Sequence, residues 1–365
     1  MDPIKAHKEL KGKIKVVSKA PLDSKDSLST YYTPGVAEVC KKIVEKPESV
    51  YDLTIKSNSV AIVSDGTRVL GLGNIGPEAA LPVMEGKAML LSYFANIDAF
   101  PICLNTKKEE EIIKTVKAIA PSFGLINLED IETPKVFRIY DRLNEELNIP
   151  VFHDDQHGTA MVVLAGLINA TKILNLDLDT PILIIGCGSA GYAIANILHT
   201  YGFTSIACRD SRGLIYKERE NLSYQKQKAS EFLTYSDNYK PQIIISASKP
   251  GAVSDELLKQ MIKPSILFSL SNPVPEVSKE KADMFGIDIY GSGRSDLPNQ
   301  INNAVAFPGF IKAVLDLKIR KISYNLFVKA AVAIANTVEN PTKEKIIPTP
   351  FNKNLIKNIK QALSD

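Results

Sequence analysis

Three features of the chain predict an α/β protein in two domains. Its 365 residues amount to about two domains at roughly 150 residues each, enough for each to bury a core. Apolar runs at Ile182–Ile185, Ser205–Cys208, Ile243–Ser246, Ile266–Ser269 and Ile287–Tyr290 are each followed by a helix-compatible segment or a polar loop. That alternation is the pattern of parallel strands joined by crossover helices. The first run ends in a glycine-rich turn that opens a helix. These observations assign the C-terminal half to a Rossmann-like dinucleotide-binding domain and leave a mixed α/β domain before it. The boundary is expected between residues 157 and 158, giving domains at 1–157 and 158–365.

In chain order, the N-terminal residues are charged where a leader would need an apolar run, so no export signal is expected. Lys13 to Val17 reads as extended. Tyr31-Tyr32-Thr33-Pro34-Gly35 forms a turn into a helix starting at Val36. Asp65-Gly66 turns the chain, Gly71 and Gly73 thin the backbone after Arg68, and an apolar helix runs from Glu78 to Phe94 with Lys87 inside it. Short strands precede two acidic pairs, Glu129-Asp130 and Asp154-Asp155. Ala160 to Leu174 is the most apolar stretch; shorter than the roughly 20 residues of a bilayer span, it reads as a buried helix that crosses the domain boundary.

Composition limits the partners. Lysine and arginine exceed aspartate and glutamate by three, 44 against 41, too small and dispersed an excess for a nucleic-acid footprint. The four cysteines, Cys40, Cys103, Cys187 and Cys208, contain no CxxC pair, which excludes a zinc ribbon and points to reduced thiols in a cytoplasm. Neither nucleic acid nor membrane is an expected partner.

The cofactor signal is Gly186-Cys187-Gly188-Ser189-Ala190-Gly191 between strand and helix. Its glycines allow a tight turn and let a pyrophosphate approach the N–H groups that open the helix. Asp210, ending the second strand, stands where a carboxylate takes the ribose hydroxyls. A glycine turn that only packs helix on strand is the alternative. The two acidic pairs, each at a strand end, can converge on a hard divalent cation, Mg²⁺ or Mn²⁺, or can be ordinary acidic turns.

His153-Asp154-Asp155-Gln156-His157 has the histidine spacing of a zinc hydrolase, a competing reading that needs both imidazoles on one helix face. The upstream strand argues that these histidines flank a loop. Lys87 among apolar neighbours is expected to have a lowered pKa, as a base would need, or else to snorkel. Tyr32 is a proton donor or a packing residue. Asn272 follows the fourth strand of the second half, and Asn299, Asn302 and Asn303 follow the fifth, where parallel sheets bind ligands.

Taken in order, these motifs resemble the malic enzymes of the short prokaryotic type. The resemblance runs from about Gly12 to Leu315 and rests on Tyr32-Thr33-Pro34-Gly35-Val36-Ala37, Ser64-Asp65-Gly66 through Gly73, Glu85-Gly86-Lys87-Ala88, Asn127 to Asp130, Phe152 to Ala160, and Gly293 to Gly309. It implies oxidative decarboxylation of malate to pyruvate and CO₂, with reduction of NAD or NADP and a divalent metal. It implies Glu129, Asp130 and Asp155 as metal ligands, Lys87 as general base and Tyr32 as general acid. Arg68 matches the holder of a substrate carboxylate, and Asn302, Asn303 and Asn272 match positions near substrate and nicotinamide. Gly186, Gly188, Ser189, Ala190 and Gly191 match the pyrophosphate loop. Lys135-Val136 and Arg138 depart from the family pattern and leave these residues intact. Enzymes of this type imply a homodimer. A non-catalytic NAD-binding protein is the remaining alternative, with no use for Tyr32, Lys87 and three carboxylates together.

The acceptor is ranked from the residues around Asp210. Its charge favours NAD over NADP, Arg209 should point to the opposite face of the strand, and Arg212 is left as the one cation competing for a 2′-phosphate.

Overall fold

A computed structural model describes residues 2–364. The first helices are α1 (Pro3–Leu10), α2 (Lys25–Tyr31), α3 (Val36–Glu45) and the single turn α4 (Val50–Leu53). Asp2 caps α1 through the Ile4 N–H, and Ser24 with Ser27 forms a capping box on α2. None of α1, α2 and α3 buries a residue. The Lys13–Val17 stretch pairs with no strand, and Val16 and Val17 are exposed.

A four-stranded sheet follows: β1 (Ser59–Ser64), α5 (Pro77–Ala95), β2 (Asp98–Cys103), α6 (Glu109–Ile119), β3 (Leu125–Leu128), α7 (Lys135–Glu146) and β4 (Val151–His153). Its order is β2-β1-β3-β4 and all its pairs are parallel. Alternation along β1 sends Val60 and Ile62 to the core that also holds Met84, Ala88 and Leu91 of α5. Ala61 and Val63 face the opposite core, built with α6 and α7. Because the strands are parallel, the residues after β1, β3 and β4 all emerge at one edge. That is why acids distant in sequence meet.

Helix α8 (Asp154–Leu174) starts directly after β4, six residues earlier than the apolar run suggests, with His153 as its N-cap residue. At 21 residues it is the one described helix long and apolar enough to cross a membrane, yet its most apolar window is 72% buried inside the protein. It packs against α9 (Ser189–Tyr201) and α14 (Tyr324–Asn336). Asn169 on α8 donates to the Ala335 and Ile346 carbonyls at 2.9 Å each, tying the C-terminal helices to it. Those helices are α13 (Phe307–Asp316), α14 (Tyr324–Asn336) and α15 (Leu355–Ser364). Between α9 and α13 lie the shorter α10 (Tyr224–Ser230), α11 (Asp255–Lys259) and α12 (Lys279–Met284).

The second sheet contains β5 (Ile182–Ile185), β6 (Ile206–Asp210), β7 (Gly213–Leu214), β8 (Ile243–Ser246), β9 (Ile266–Ser269) and β10 (Ile289–Ser292), in the order β10-β9-β8-β5-β6-β7. The expected strands β5, β8 and β9 keep their bounds, whereas β10 starts two residues later than its apolar run. The short antiparallel β7 is an edge strand with too few residues to carry a periodic signal. Strand order reverses across β5, so a switch point opens between the carboxyl ends of β5 and β8. Ile182 and Ile184 share a core with α8 and one face of the first sheet, which makes one continuous interior beneath both sheets.

Candidate active site

The edge where β1, β3 and β4 end faces the glycine turn after β5. Between them is a cavity of ≈ 360 Å³ lined from one side by Arg68, Lys87, Glu129, Asp130 and Asp155. Ala190, Ala247, Ser248, Asn272, Asn302 and Asn303 line the other side.

Glu129 and Asp130 follow β3, and Asp155 occupies the first turn of α8. One ligand oxygen from each lies within 4.8 Å of the other two. The Asp130 N–H donates to Asp155 Oδ2 at 3.2 Å, and Asp130 takes a left-handed conformation with φ +53° that few non-glycine residues adopt. Asp130 Oδ2 is buried without a hydrogen-bond partner. Burial and then Asp155 push the Asp130 carboxyl up to about 7. Glu129 is also raised well above its ordinary range, by burial. Burial acts the same way on Asp155, but the hydrogen bond and charge of His153 outweigh it and hold Asp155 near about 2. An orphaned oxygen among three clustered carboxylates fits a hard divalent cation such as Mg²⁺ or Mn²⁺, which offsets the repulsion and takes oxygen ligands.

Lys87 projects from α5 into this acidic edge. Its ammonium donates to Asp154 and lies 3.1 Å from Glu129 Oε1 and 4.8 Å from the Phe307 ring centroid. The expected lowering of its pKa is overturned: burial does lower it, but Asp154 and Glu129 raise it further, and the net shift is upward. Asp154 is fully buried, accepts from Asn303 Nδ2 at 2.5 Å, and keeps Oδ1 unpartnered. Asn302 lines the cavity while its Oδ1 accepts the Ala304 N–H at 2.9 Å. Arg68 crosses the cleft, with Nη1 3.3 Å from Ser189 Oγ in the first turn of α9.

The glycine turn has the geometry of a phosphate cradle. Gly186 has φ +94°, a conformation strained for any side chain, and a Cβ on Gly191 would lie 1.8 Å from the Gly186 carbonyl oxygen. Gly188 is the N-cap residue of α9, and a Cβ there would meet nothing within 4 Å, so open space lies before the helix N-terminus. A second cavity of ≈ 530 Å³ runs from Gly186 and Gly188 to Arg209, Asp210 and Lys226 and adjoins the first at Ser248. The residues fit a dinucleotide laid across the switch point.

Family models match in the same two blocks, the malic enzyme N-terminal domain over residues 11–113 and the malic enzyme NAD binding domain over 156–359. The chain belongs to the malic enzyme family. It is 49% identical to the NAD-dependent malic enzyme of Geobacillus stearothermophilus over 96% of this chain and 76% of that one. It is 45% identical to the bifunctional malic/malolactic enzyme of Bacillus subtilis over 98% of this chain and 90% of that protein. The crystal structure of the NAD-dependent malic enzyme from Thermotoga maritima superposes with a TM-score of 0.94 at 42% identity, covering 100% of this chain and 99% of that one.

Within this malic enzyme fold, three groups singled out in the sequence lie away from the cleft chemistry of a single chain or are engaged elsewhere. Tyr32 is 66% exposed and is absent from the cavity lining, so a single chain does not bring it to Lys87 and the carboxylates. Among the described residues the histidines join no metal-ligand cluster, and they do not flank a loop: His153 is the N-cap residue of α8 and His157 lies within it. His157 is buried and stacks on Phe327 at 4.4 Å between ring centroids, with Tyr140 and Phe152 around it, and burial holds its pKa well below the ordinary range. Near Asp210, Arg209 is among the residues that line the cavity, whereas the Arg212 guanidinium is tied to the Asn221 carbonyl at 2.8 Å and only its backbone N–H supports Asp210.

Three residues escape sequence reasoning. Asp154 is legible as an acid but not as the partner of Lys87, because the helical rotation that separates it from Asp155 depends on where α8 starts. Arg219 and Lys226, both bound to Asp210, come from a loop and a short helix whose return to β6 has no periodic signature.

Proposed function

We propose that the protein catalyses oxidative decarboxylation of malate to pyruvate and CO₂ with NAD or NADP as acceptor, and that a divalent cation on Glu129, Asp130 and Asp155 is required. The observation that supports this reading is a lysine–carboxylate pair and three clustered carboxylates directly across a cleft from a glycine turn at a helix N-terminus. Residues 1–157 supply the substrate and metal groups, and residues 158–365 supply the dinucleotide site.

A cation held by Glu129, Asp130 and Asp155 would supply Lewis acidity at the substrate oxygens, and a dinucleotide held at the glycine turn after β5 would supply the hydride acceptor. Arg68 holds a malate carboxylate through its planar fork and, through Ser189, keeps the substrate edge aligned with α9. Lys87 and Asp154 form the proton-handling pair: the Lys87 ammonium passes a proton to the Asp154 carboxylate it already contacts, and the freed Nζ takes the C2 hydroxyl proton as the hydride leaves. Asn303 orients Asp154. Loss of the carboxylate β to the new ketone releases CO₂ and leaves an enolate, which requires a proton at C3 to become pyruvate. Tyr32 is the proposed donor.

Two copies are proposed to associate through the N-terminal segment. Its helices α1 to α3 have no buried residue, and Ile4, Leu10, Val16, Val17, Leu22 and Val44 expose apolar side chains there. Tyr32 belongs to this segment, so its role as proton donor goes with the homodimer. The proposed setting is a cytoplasm, consistent with four cysteines that are all free.

Initial rates with malate and either dinucleotide, in Mg²⁺, in Mn²⁺ and in chelator, test the reading. Turnover that requires metal supports it. Malate turnover indifferent to chelation rejects the metal assignment, and no malate turnover with either acceptor rejects the reaction.

A further inference from the structure

Asp210, at the carboxyl end of β6, is already saturated with donors. Its Oδ1 accepts the Arg212 N–H at 2.8 Å and Arg219 Nη2 at 2.7 Å. Its Oδ2 accepts Arg219 Nη2 at 2.9 Å and Lys226 Nζ at 2.5 Å. A carboxylate offers about four lone-pair sites. Ribose hydroxyls could bond to Asp210 only by displacing a donor already there, so the feature that ordinarily selects NAD is occupied from within the protein.

The charge at this end of the cavity has also changed sign. Asp210 contributes one negative charge, while Arg219 and Lys226 contribute two positive ones, and Arg209 lines the same cavity. A phosphate monoester carries about two negative charges near neutral pH. The three cations therefore balance Asp210 and one 2′-phosphate together.

We propose that this site accepts an adenosine 2′-phosphate and that Lys226 is the residue that holds it, so that Asp210 does not exclude NADP. The proposal rests on the dinucleotide reading above and deepens it by naming the group that sets acceptor choice. Arg219 is committed elsewhere: its Nη1 donates to the Gly213 and Leu214 carbonyls at 3.1 and 2.9 Å and pins the β6–β7 turn. Lys226 has Asp210 as its one recorded hydrogen-bond partner and lines the cavity. Its flexible stem lets the ammonium pivot from Asp210 Oδ2 to a phosphate oxygen and remain ion-paired throughout.

Calorimetric titration of the full chain with adenosine 2′,5′-bisphosphate and with adenosine 5′-monophosphate tests this without any turnover. The parent is expected to bind the bisphosphate about tenfold more tightly, the size of one hydrogen bond between charged groups. Lys226→Gln should reduce that advantage to within about twofold, and Lys226→Arg should restore it. A parent that binds the monophosphate as tightly as the bisphosphate overturns the proposal, as does an unchanged ratio in Lys226→Gln. Failure to bind either nucleotide overturns the dinucleotide reading and this proposal with it. Absence of malate turnover alongside the expected ratio would instead count against the reaction alone.

Discussion

Lys87 Nζ lies 3.1 Å from Glu129 Oε1, so the group assigned to proton transfer touches a group assigned to the metal. The contact exists because α5 covers the core face of the sheet whose strand β3 is followed directly by Glu129. Lys87→Ala removes the group through which the C2 hydroxyl proton is exchanged with Asp154 and should lower kcat by roughly 10²- to 10⁴-fold, the usual contribution of a positioned acid or base. Circular dichroism should show the fold retained. A variant within a few-fold of the parent would reduce Lys87 to a packing residue.

Of the three proposed metal ligands, Asp155 has the carboxyl that stays ionised most readily. Asp155→Asn deletes one of three anionic ligands and should raise the Mg²⁺ or Mn²⁺ concentration needed for half-maximal rate by at least about tenfold, since hard cations depend on charged oxygens. Titration of Mn²⁺ followed by electron paramagnetic resonance reads the same loss without substrate. Unchanged Mn²⁺ affinity would remove Asp155 from the ligand set.

Asp154 should show its importance in stability as well as rate. Both it and Lys87 are withdrawn from solvent, and breaking a buried ion pair typically costs about 3–5 kcal/mol, of which a part applies here because Lys87 keeps Glu129 as its remaining partner. Asp154→Ala should therefore lower the Tm by several degrees while Asp155→Asn does not. Equal melting temperatures for parent and Asp154→Ala would contradict the pairing.

The glycine turn tolerates no side chain at its third glycine. A Cβ at Gly191 would lie 1.8 Å from the Gly186 carbonyl, so Gly191→Ala must push the turn away from the position a pyrophosphate needs. The expected result is a KM for the dinucleotide raised about tenfold or more, with metal affinity untouched. A normal KM would mean that the turn packs helix on strand and nothing else.

Association through the N-terminal segment predicts that Val16→Asp together with Val17→Asp yields monomers in sedimentation velocity. The same variant should lose activity, because Tyr32 sits in that segment and a single chain leaves it outside the cleft. Fully active monomers would remove both the homodimer and Tyr32 from the account.

Much of this arrangement is legible in the residues alone. The alternation of apolar strands after Ile182 and the glycines after Ile185 impose local geometry directly, and the structure follows them to within a residue or two. The acids after β3 and β4 are legible as candidates because a parallel sheet brings its strand ends to one edge. What is not legible depends on rotation or on return of distant chain. Asp154 and Asp155 differ in role by the 100° between successive helix positions, which matters only once α8 is known to start at Asp154. The Lys87 pKa goes up because Asp154 and Glu129 reach it from other elements, a tertiary effect that its apolar neighbours in sequence conceal. Arg212, which sequence reasoning leaves as the one cation competing for a 2′-phosphate, turns away because its guanidinium is held by the Asn221 carbonyl, a contact with no local signature.

The most direct test of the central claim follows carbon rather than cofactor. Malate labelled at its C4 carboxylate, incubated with the protein, Mn²⁺ and NAD or NADP, should release labelled CO₂ in one-to-one proportion with reduced dinucleotide and leave unlabelled pyruvate. Reduced dinucleotide formed with the label retained in oxaloacetate would show a simple dehydrogenase and contradict the account.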